Sequence, residues 1–563
     1  VGGESFAAQN TADPAPSDTV NTGSPLASFL LGVPNSAYRT NKISSTRPGG
    51  EMNGFVQDSW KATTNLTLNF GLRYDLTDIP PLGQNALAQY HGGPSIGDMD
   101  FTNGTYILQK LPQACSATND VAPCIPGSGA LPAHVVVSSN QKIAHNIYDN
   151  FGPRVGFAYK VGDTIVVHGG FGIVYDNWAA LLQTIQNTGG TWPDVGGQQS
   201  SNLNLPSSAS ATPTVSYTAP FGSVSTSGQA PSSLTPFTQQ NYFYDPHRKN
   251  PRSYQYNFGV QKQLTSNTTA TLNYVGSDTK RLDVGGFYNT ALTPGPGDPQ
   301  SRSLYTYIVP TPYDRSTGAS SFNGLEASLN RRFTNGWSYS LAYTWSKIID
   351  EGTDGFFGAE GGVPQDPYNP AAYGSRSVAG FDIPNNFSGS LLYQLPFGPG
   401  RQFSTGKSAV DYVLGNWEVN TIMIAYSGVP FTPQVSSDIA NTGNGNSYET
   451  LDLVGNPHAL SHRGPSEWFN TAAYAVPAGY TYGTAGRNSL RSASYRNFDT
   501  SVFRQFPVGE GRQFEFRAEA FNLLNEVVLG GPNGDYNSGT KFGTINGTAN
   551  SARQLQLALK FLF

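Results

Sequence analysis

Leu66, Leu68, Phe70, Leu72, Tyr74 and Leu76 alternate with Thr67, Asn69, Gly71, Arg73 and Asp75 without an exception. Successive side chains of a strand point to opposite faces, so this run predicts a strand with one continuous apolar face. Its length is that of a tilted bilayer crossing, roughly 9–11 residues. Phe55 to Trp60 leads into it across a short polar turn, Lys61 to Asn65, and the pattern repeats as hairpins. Val155, Phe157, Tyr159 and Val161 turn at Gly162 and Asp163 and return as Ile165, Val167, Phe171, Ile173 and Tyr175. Tyr254, Tyr256, Phe258 and Val260 are answered by Ala270, Leu272 and Tyr274. Leu325, Ala327 and Leu329 turn at Asn335-Gly336, a strong hairpin signal, into Trp337, Tyr339, Leu341, Tyr343 and Trp345. Phe387 to Phe397 pairs with Trp417 to Tyr426 at a weaker period, and Phe498 to Phe506 returns as Phe514, Phe516, Ala518 and Ala520. The chain ends on Leu555, Leu557, Leu559, Phe561 and Phe563, with Gln554, Gln556, Ala558 and Lys560 opposite and only Leu562 breaking the rule.

Between the hairpins lie long connections rich in Gly, Pro, Asn and Ser, read as structureless: Thr77 to Tyr148, Asn177 to Pro251, Lys280 to Ser320, Asp350 to Asp382, Gly428 to Ser494 and Glu526 to Ser551. Short and long connections are expected to alternate strictly. That asymmetry is uncommon in compact domains and built into outer-membrane barrels. The fold class expected is all-β, an antiparallel transmembrane β-barrel over residues 1–563 with short periplasmic turns and long extracellular loops. Six hairpins, the closing strand and an irregular strand within Ser36 to Ser45 give about fourteen crossings. A closed antiparallel wall pairs every backbone group inside lipid. Apolar side chains then meet acyl chains, and Glu515, Arg517 and Glu519 face a wet lumen, where their spacing suits cross-strand ion pairing.

Composition narrows this picture. Hydrophobic residues make up 37% and charged residues 13%, while aromatics reach 12%, and no apolar run approaches the ~20 residues of a membrane helix. The net charge of -5 and the lack of a basic run interleaved with aromatics argue against nucleic acid as a partner. Cys115 and Cys124 enclose a Pro/Ala/Gly-rich stretch. In an oxidising compartment they most simply form a local disulfide, with two free thiols or a metal site as the other readings. Gly400 to Ser408 fails the spacing of a phosphate loop and reads as a polar turn. His458 and His462 lack a third metal ligand, and Asp350, Glu351 and Asp354 lack the alternation of a calcium loop and read as a solvated acidic loop. No nucleophile elbow or selected acid–base pair appears, so neither an enzyme nor a cofactor is expected.

The segments Gly54 to Lys61 (GFVQDSWK), Asn69 to Asp75 (NFGLRYD), Phe516 to Asn525 (FRAEAFNLLN) and Arg553 to Phe563 resemble the barrel of TonB-dependent outer-membrane receptors, nearest to the Oar-like branch common in acidobacteria. The resemblance runs from about Ser24 onward and implies a twenty-two-stranded barrel around an N-terminal plug. It implies energised uptake of a bulky nutrient, such as an oligosaccharide or siderophore, through the TonB complex. Neither a plug nor a TonB box can be matched, so the chain is expected to be part of such a barrel. Leu555, Leu557, Leu559, Phe561 and Phe563 resemble the terminal signal read by the barrel-assembly machinery. The remaining partners implied are the outer-membrane bilayer and an unnamed extracellular ligand. Two other readings stay open: a plug-free passive channel or surface adhesin, and a secreted all-β protein that binds or cleaves carbohydrate.

Overall fold

The computed structural model describes residues 2–11, 23–34, 36–40, 50–78, 97–108, 111, 130–139, 146–176, 192, 197–200, 236–238, 243–352, 365–369, 376–398, 400–404, 412–444, 449–509 and 511–563. Thirteen strands follow one another along a single antiparallel path: β1 (Gly50–Lys61), β2 (Leu66–Asp78), β3 (Ile147–Val161), β4 (Ile165–Tyr175), β5 (Arg252–Thr265), β6 (Thr268–Val284), β7 (Thr311–Thr334), β8 (Trp337–Asp350), β9 (Asn385–Gln394), β10 (Glu418–Tyr426), β11 (Tyr495–Gly509), β12 (Arg512–Phe521) and β13 (Gln554–Leu562). Every expected hairpin is present. Each strand pairs with its neighbours in sequence, so connections stay short in space.

Register decides which side chains share a face. Leu68 lies opposite Phe157, Phe157 opposite Gly169, and Gly169 opposite Phe258. Phe258 pairs with Tyr274, Tyr274 with Leu325, Leu325 with Trp345. Farther along, Leu341 faces Gly389, Gly389 faces Met423, Met423 faces Phe498, and Phe516 faces Leu559. Because side chains alternate with a period of two, these pairs carry most of the apolar residues of the strands, though not Phe55 of β1 or Ile422 and Ile424 of β10, to the same face. That face is bare: Leu555, Leu557 and Leu559 are 76%, 73% and 69% exposed. In water such a surface would be a liability, and in hydrocarbon it is what stabilises the wall. Tyrosine hydroxyls near the loop end are satisfied locally, Tyr274 donating to Asn323 at 2.6 Å and Tyr343 to Asn385 at 2.7 Å.

Three expectations are corrected. The strand within Ser36 to Ser45 exists as Ser36–Thr40, but it pairs with Gly2–Ser5 and Gly197–Ser200 in a separate small sheet and adds no crossing. It is too short to span a bilayer, so among the described residues the wall shows thirteen strands and not fourteen. Strict alternation of connections also fails once. Ala62–Asn65, Gly162–Thr164, Ser266–Asn267 and Asn335–Gly336 are tight, but Leu395–Trp417 joins β9 to β10 at that same end. A single helical turn at 412–414 closes it, with the Trp417 indole donating to the Val413 carbonyl at 3.0 Å and the Trp417 ring packing edge-on against Phe506 and Phe516. The described part of Gly400 to Ser408 lies in this connection, as a turn.

The third correction concerns the long connections, which are not structureless. Among the described residues, Met99, Phe101, Tyr106, Leu108 and Val135 from the β2–β3 connection pack with Trp192, Phe237 and Phe243 from β4–β5 and with Ile308 from β6–β7. A second core joins Val435, Leu451, Trp468, Phe469, Tyr474 and Leu490 of the β10–β11 connection to Phe542 and Ile545 of β12–β13. The described loops thus bury apolar surface that no single loop could bury alone. Among the described residues the main path is open: β1 and β13 each have a strand partner on one side only. With thirteen strands in antiparallel succession, these two run in the same direction.

Candidate functional site

The face opposite the apolar one carries the chemistry. On β12, Glu515, Arg517 and Glu519 project to one side, with Arg517 reaching Glu515 at 2.9 Å and Glu519 at 3.5 Å. Lys560 of β13 stands 3.9 Å from Glu515, and the Gln505 amide of β11 donates to it at 3.3 Å. Ion pairing here therefore runs first along one strand, between residues two apart, and only second across strands. The long Arg517 side chain spans the two-residue repeat of a strand face, which the expectation of cross-strand pairing overlooked. The same face continues through Asn257, His168 and Asn273, with Gly259 opposite both His168 and Asn273 and Asn257 two residues before it on the same strand.

At the loop end, buried ion pairs fasten the loops to the strands. Arg487 contacts the Asp350 carboxylate at the end of β8, and both side chains are almost fully buried. Arg491 contacts Asp382, which is wholly buried, and Arg248 meets Asp283 at 3.0 Å with both partners buried. Asp350 is thus not part of a solvated acidic loop: its charge is taken up by Arg487, while Glu351 pairs with Arg376 at 3.0 Å. Asp354 lies outside the described residues, as do Cys115 and Cys124. The β6–β7 connection is tied to the second loop core's connection by the Arg302 guanidinium donating to the Asn441 carbonyl at 2.6 Å, and the β8–β9 connection is tied to it by Gln365 donating to the Thr450 hydroxyl at 2.8 Å.

Burial sets the protonation of two carboxyls in this assembly. Glu449 accepts from the backbone N–H groups of Ile439 and Ala440, and desolvation, with Asp438 close by, pushes its carboxyl up to about 8. Asp98 accepts from Met99 and, across to the β4–β5 connection, from Tyr244. Burial, reinforced by Asp245 and Asp100, holds it well above the usual carboxylate range. His458 and His462 are exposed in non-helical backbone. Among the described residues no cluster of three or more His, Cys, Asp or Glu could hold a metal ion.

The loop cores and the buried ion pairs were missed in sequence. Their one signal is aromatic density inside turn-rich segments, as at Trp468-Phe469, which solvated loops have no reason to carry. Leu555, Leu557, Leu559 and Phe561 share the apolar face, and Phe563 is 94% exposed with its ring 5.9 Å from that of Phe561.

A model of the outer membrane beta barrel domain matches residues 1–556, and the chain belongs to that family. It is an outer-membrane protein. No curated protein sequence matches the chain. Among solved structures it is similar to the copper transporter OprC at 10% identity and a TM-score of 0.36, covering 94% of this chain and 49% of that one. It is similar to the ferric-catecholate import receptor Fiu from E. coli K12 at 12% identity and a TM-score of 0.38, covering 94% and 50%. The siderophore receptor PirA from Acinetobacter baumannii matches at 12% identity and a TM-score of 0.39, covering 94% and 51%. The chain spans about half the length of these structures.

Proposed function

We propose that the chain supplies wall strands and extracellular loops of a TonB-dependent receptor of the Oar-like type in the bacterial outer membrane. The loops capture a bulky nutrient, such as an oligosaccharide or siderophore, and the polar face conducts it inward past a plug engaged by the TonB complex. The observation that carries this reading is the register: thirteen strands present one apolar face and one polar face, with packed loops gathered at a single end. Apolar surface of this extent has lipid as its natural solvent. In this arrangement Glu515, Arg517 and Glu519 line a twenty-two-stranded barrel, to which these thirteen strands contribute. Cys115 and Cys124 form a disulfide in the first long external loop, where the compartment is oxidising. Leu555, Leu557, Leu559, Phe561 and Phe563 are read by the barrel-assembly machinery. The chain acts as a receptor and not as an enzyme.

The test is competitive growth of a strain deleted for the gene across a panel of polymeric and chelated nutrients, with and without TonB. A growth defect on one nutrient, reproduced by removing TonB, is the expected result. Uptake that continues without TonB would overturn the reading in favour of a passive channel, and a defect in surface attachment alone would favour an adhesin. Extraction without detergent would point to a secreted carbohydrate-binding or carbohydrate-cleaving protein.

A further inference from the structure

Where β11, β12 and β13 meet the β12–β13 connection, a cavity of about 560 Å³ opens on the polar face, within the size range of small-molecule sites. Tyr495, Asn497, Asp499, Phe521, Thr548 and Gln554 line it. Register puts Asn497 and Asp499 opposite Ile424 and Ile422, and Gln554 opposite Phe521, on the side that carries Glu519. The cavity is held open by the bonds of two further lining residues, Asn522 and Asn550, which leave the amides of Asn497 and Gln554 unused. Asn522, in the left-handed region at φ 50, donates its N–H to Asp499 at 2.8 Å, and its side chain clasps the Glu526 and Ser551 carbonyls at 2.9 and 3.0 Å. Asn550 secures the far side by donating to the Glu526 carbonyl at 2.8 Å. Tyr495 is stacked on Tyr426, centroids 4.8 Å apart and 10° from parallel, which fixes its ring. The amides of Asn497 and Gln554 line the cavity and make no hydrogen bond among the described residues.

We propose that this cavity binds a neutral, polyhydroxylated ligand of the oligosaccharide class. The lining holds one carboxylate and no cation, so an anionic ligand meets repulsion with nothing to neutralise it. The nearby cations are engaged elsewhere: Arg496 faces Glu526 at 3.6 Å, and Arg553 donates to the Leu523 carbonyl at 3.2 Å. A purely apolar ligand would strip water from Asn497, Asp499 and Gln554 without replacing it. Sugar hydroxyls donate to Asp499 and exchange both donor and acceptor bonds with the two amides, while the Phe521 ring takes the C–H face of a pyranose. An organic cation would satisfy Asp499 but leave the amides unmatched.

The proposal rests on the receptor reading for its access from outside and deepens it to a substrate class. It is tested by calorimetric titration of the full chain in detergent micelles with neutral hexasaccharides of glucan, xylan and mannan. Hexagalacturonate serves as the anionic control and hexaglucosamine as the cationic one. At least one neutral hexasaccharide binds, and Asn497→Ala, Gln554→Ala and Phe521→Ala each weaken it about tenfold, the worth of a good hydrogen bond or stacking contact. Unchanged heat-modified migration on gels shows that the variants fold. The proposal is overturned by no neutral binding, by binding indifferent to these substitutions, or by tighter binding of either charged control. Neutral binding with this dependence, alongside uptake that persists without TonB, keeps the cavity assignment and sinks the receptor reading. Energised uptake of a charged nutrient that ignores these substitutions does the reverse.

Discussion

Leu557 and Leu451 are the same side chain in two halves of one molecule, 73% exposed on β13 and fully buried in the β10–β11 connection. The strands are an inverted protein, with apolar residues outward and polar ones across the sheet. The loop assembly is an ordinary one, with aromatics inside and ion pairs at its seams. The difference follows from solvent. In hydrocarbon the wall gains from pairing its backbone and little from packing one leucine against another, because lipid is as apolar as leucine. In water the loops gain from removing apolar area, so they must collapse on one another to offset the entropy of ordering so much chain.

If that contrast holds, the largest effect of a single change should fall where the two halves are joined. Arg487→Ala removes the partner of a buried Asp350 at the end of β8. Breaking such a pair costs about 3–5 kcal/mol because an uncompensated charge remains. Hydrogen exchange should show the amides of residues 427–494 losing protection while β8 and β9 keep theirs. Asp350→Asn combined with Arg487→Met should restore most of the loss. A uniform loss over wall and loops would mean that the two halves unfold as one.

Next in size is the leucine pair itself. Leu451→Ala leaves a cavity in the second loop core and should cost about 2–5 kcal/mol. Leu557→Ala leaves no cavity, only acyl chains that move in, and should cost about half a kcal/mol. Limited proteolysis of the loops reads the first and thermal unfolding in lipid reads the second. Comparable costs at both sites would break the comparison outright.

A smaller effect is graded with pH. The Glu449 carboxyl titrates at about 8 in the folded loops, against roughly 4.3 in an unfolded chain. Its neutral form is favoured by folding, so the stabilisation present below the unfolded value is lost as pH rises through the folded one. The loop assembly should weaken between pH about 4.3 and about 8 by at most about 5 kcal/mol, a ceiling that solvent screening lowers, and then level off. Glu449→Gln, which still accepts from Ile439 and Ala440, should flatten this slope when proteolysis is followed across the range.

The wall was legible in sequence because each strand meets two solvents of opposite character, and a period of two is the direct imprint of that. Six hairpins and the closing strand were readable from Phe70, Tyr159, Phe258, Leu329, Leu341 and their neighbours alone. The period weakened at β10, where Ile422 and Ile424 share the face of Asn420 and Glu418. The loop cores were illegible for the opposite reason. Tyr106 and Trp192 touch across 86 residues, with the Tyr106 hydroxyl on the Trp192 carbonyl at 2.7 Å, while Phe243 sits in a two-residue strand and Tyr313 in the stretch of β7 that precedes its readable period. A buried pair such as Asp350 and Arg487, 137 residues apart, leaves no local trace beyond two ordinary charged residues.

The smallest effect on stability concerns Phe563, and it separates folding energy from assembly. The residue is 94% exposed and its ring meets only that of Phe561 among the described ring contacts. Deleting it should change the stability of inserted protein by less than about 0.5 kcal/mol, as surface changes do. If the terminal aromatic is a signal read by the assembly machinery, the yield of inserted protein should nevertheless fall several-fold. Leu562→Gln, on the polar face beside Gln513, should leave that yield intact. Quantifying heat-modifiable protein in outer-membrane fractions, followed by thermal unfolding of the inserted fraction, measures the two quantities separately. Equal yields from both variants would remove the signal reading. A large stability loss without a change in initial insertion would instead make Phe563 an ordinary packing residue.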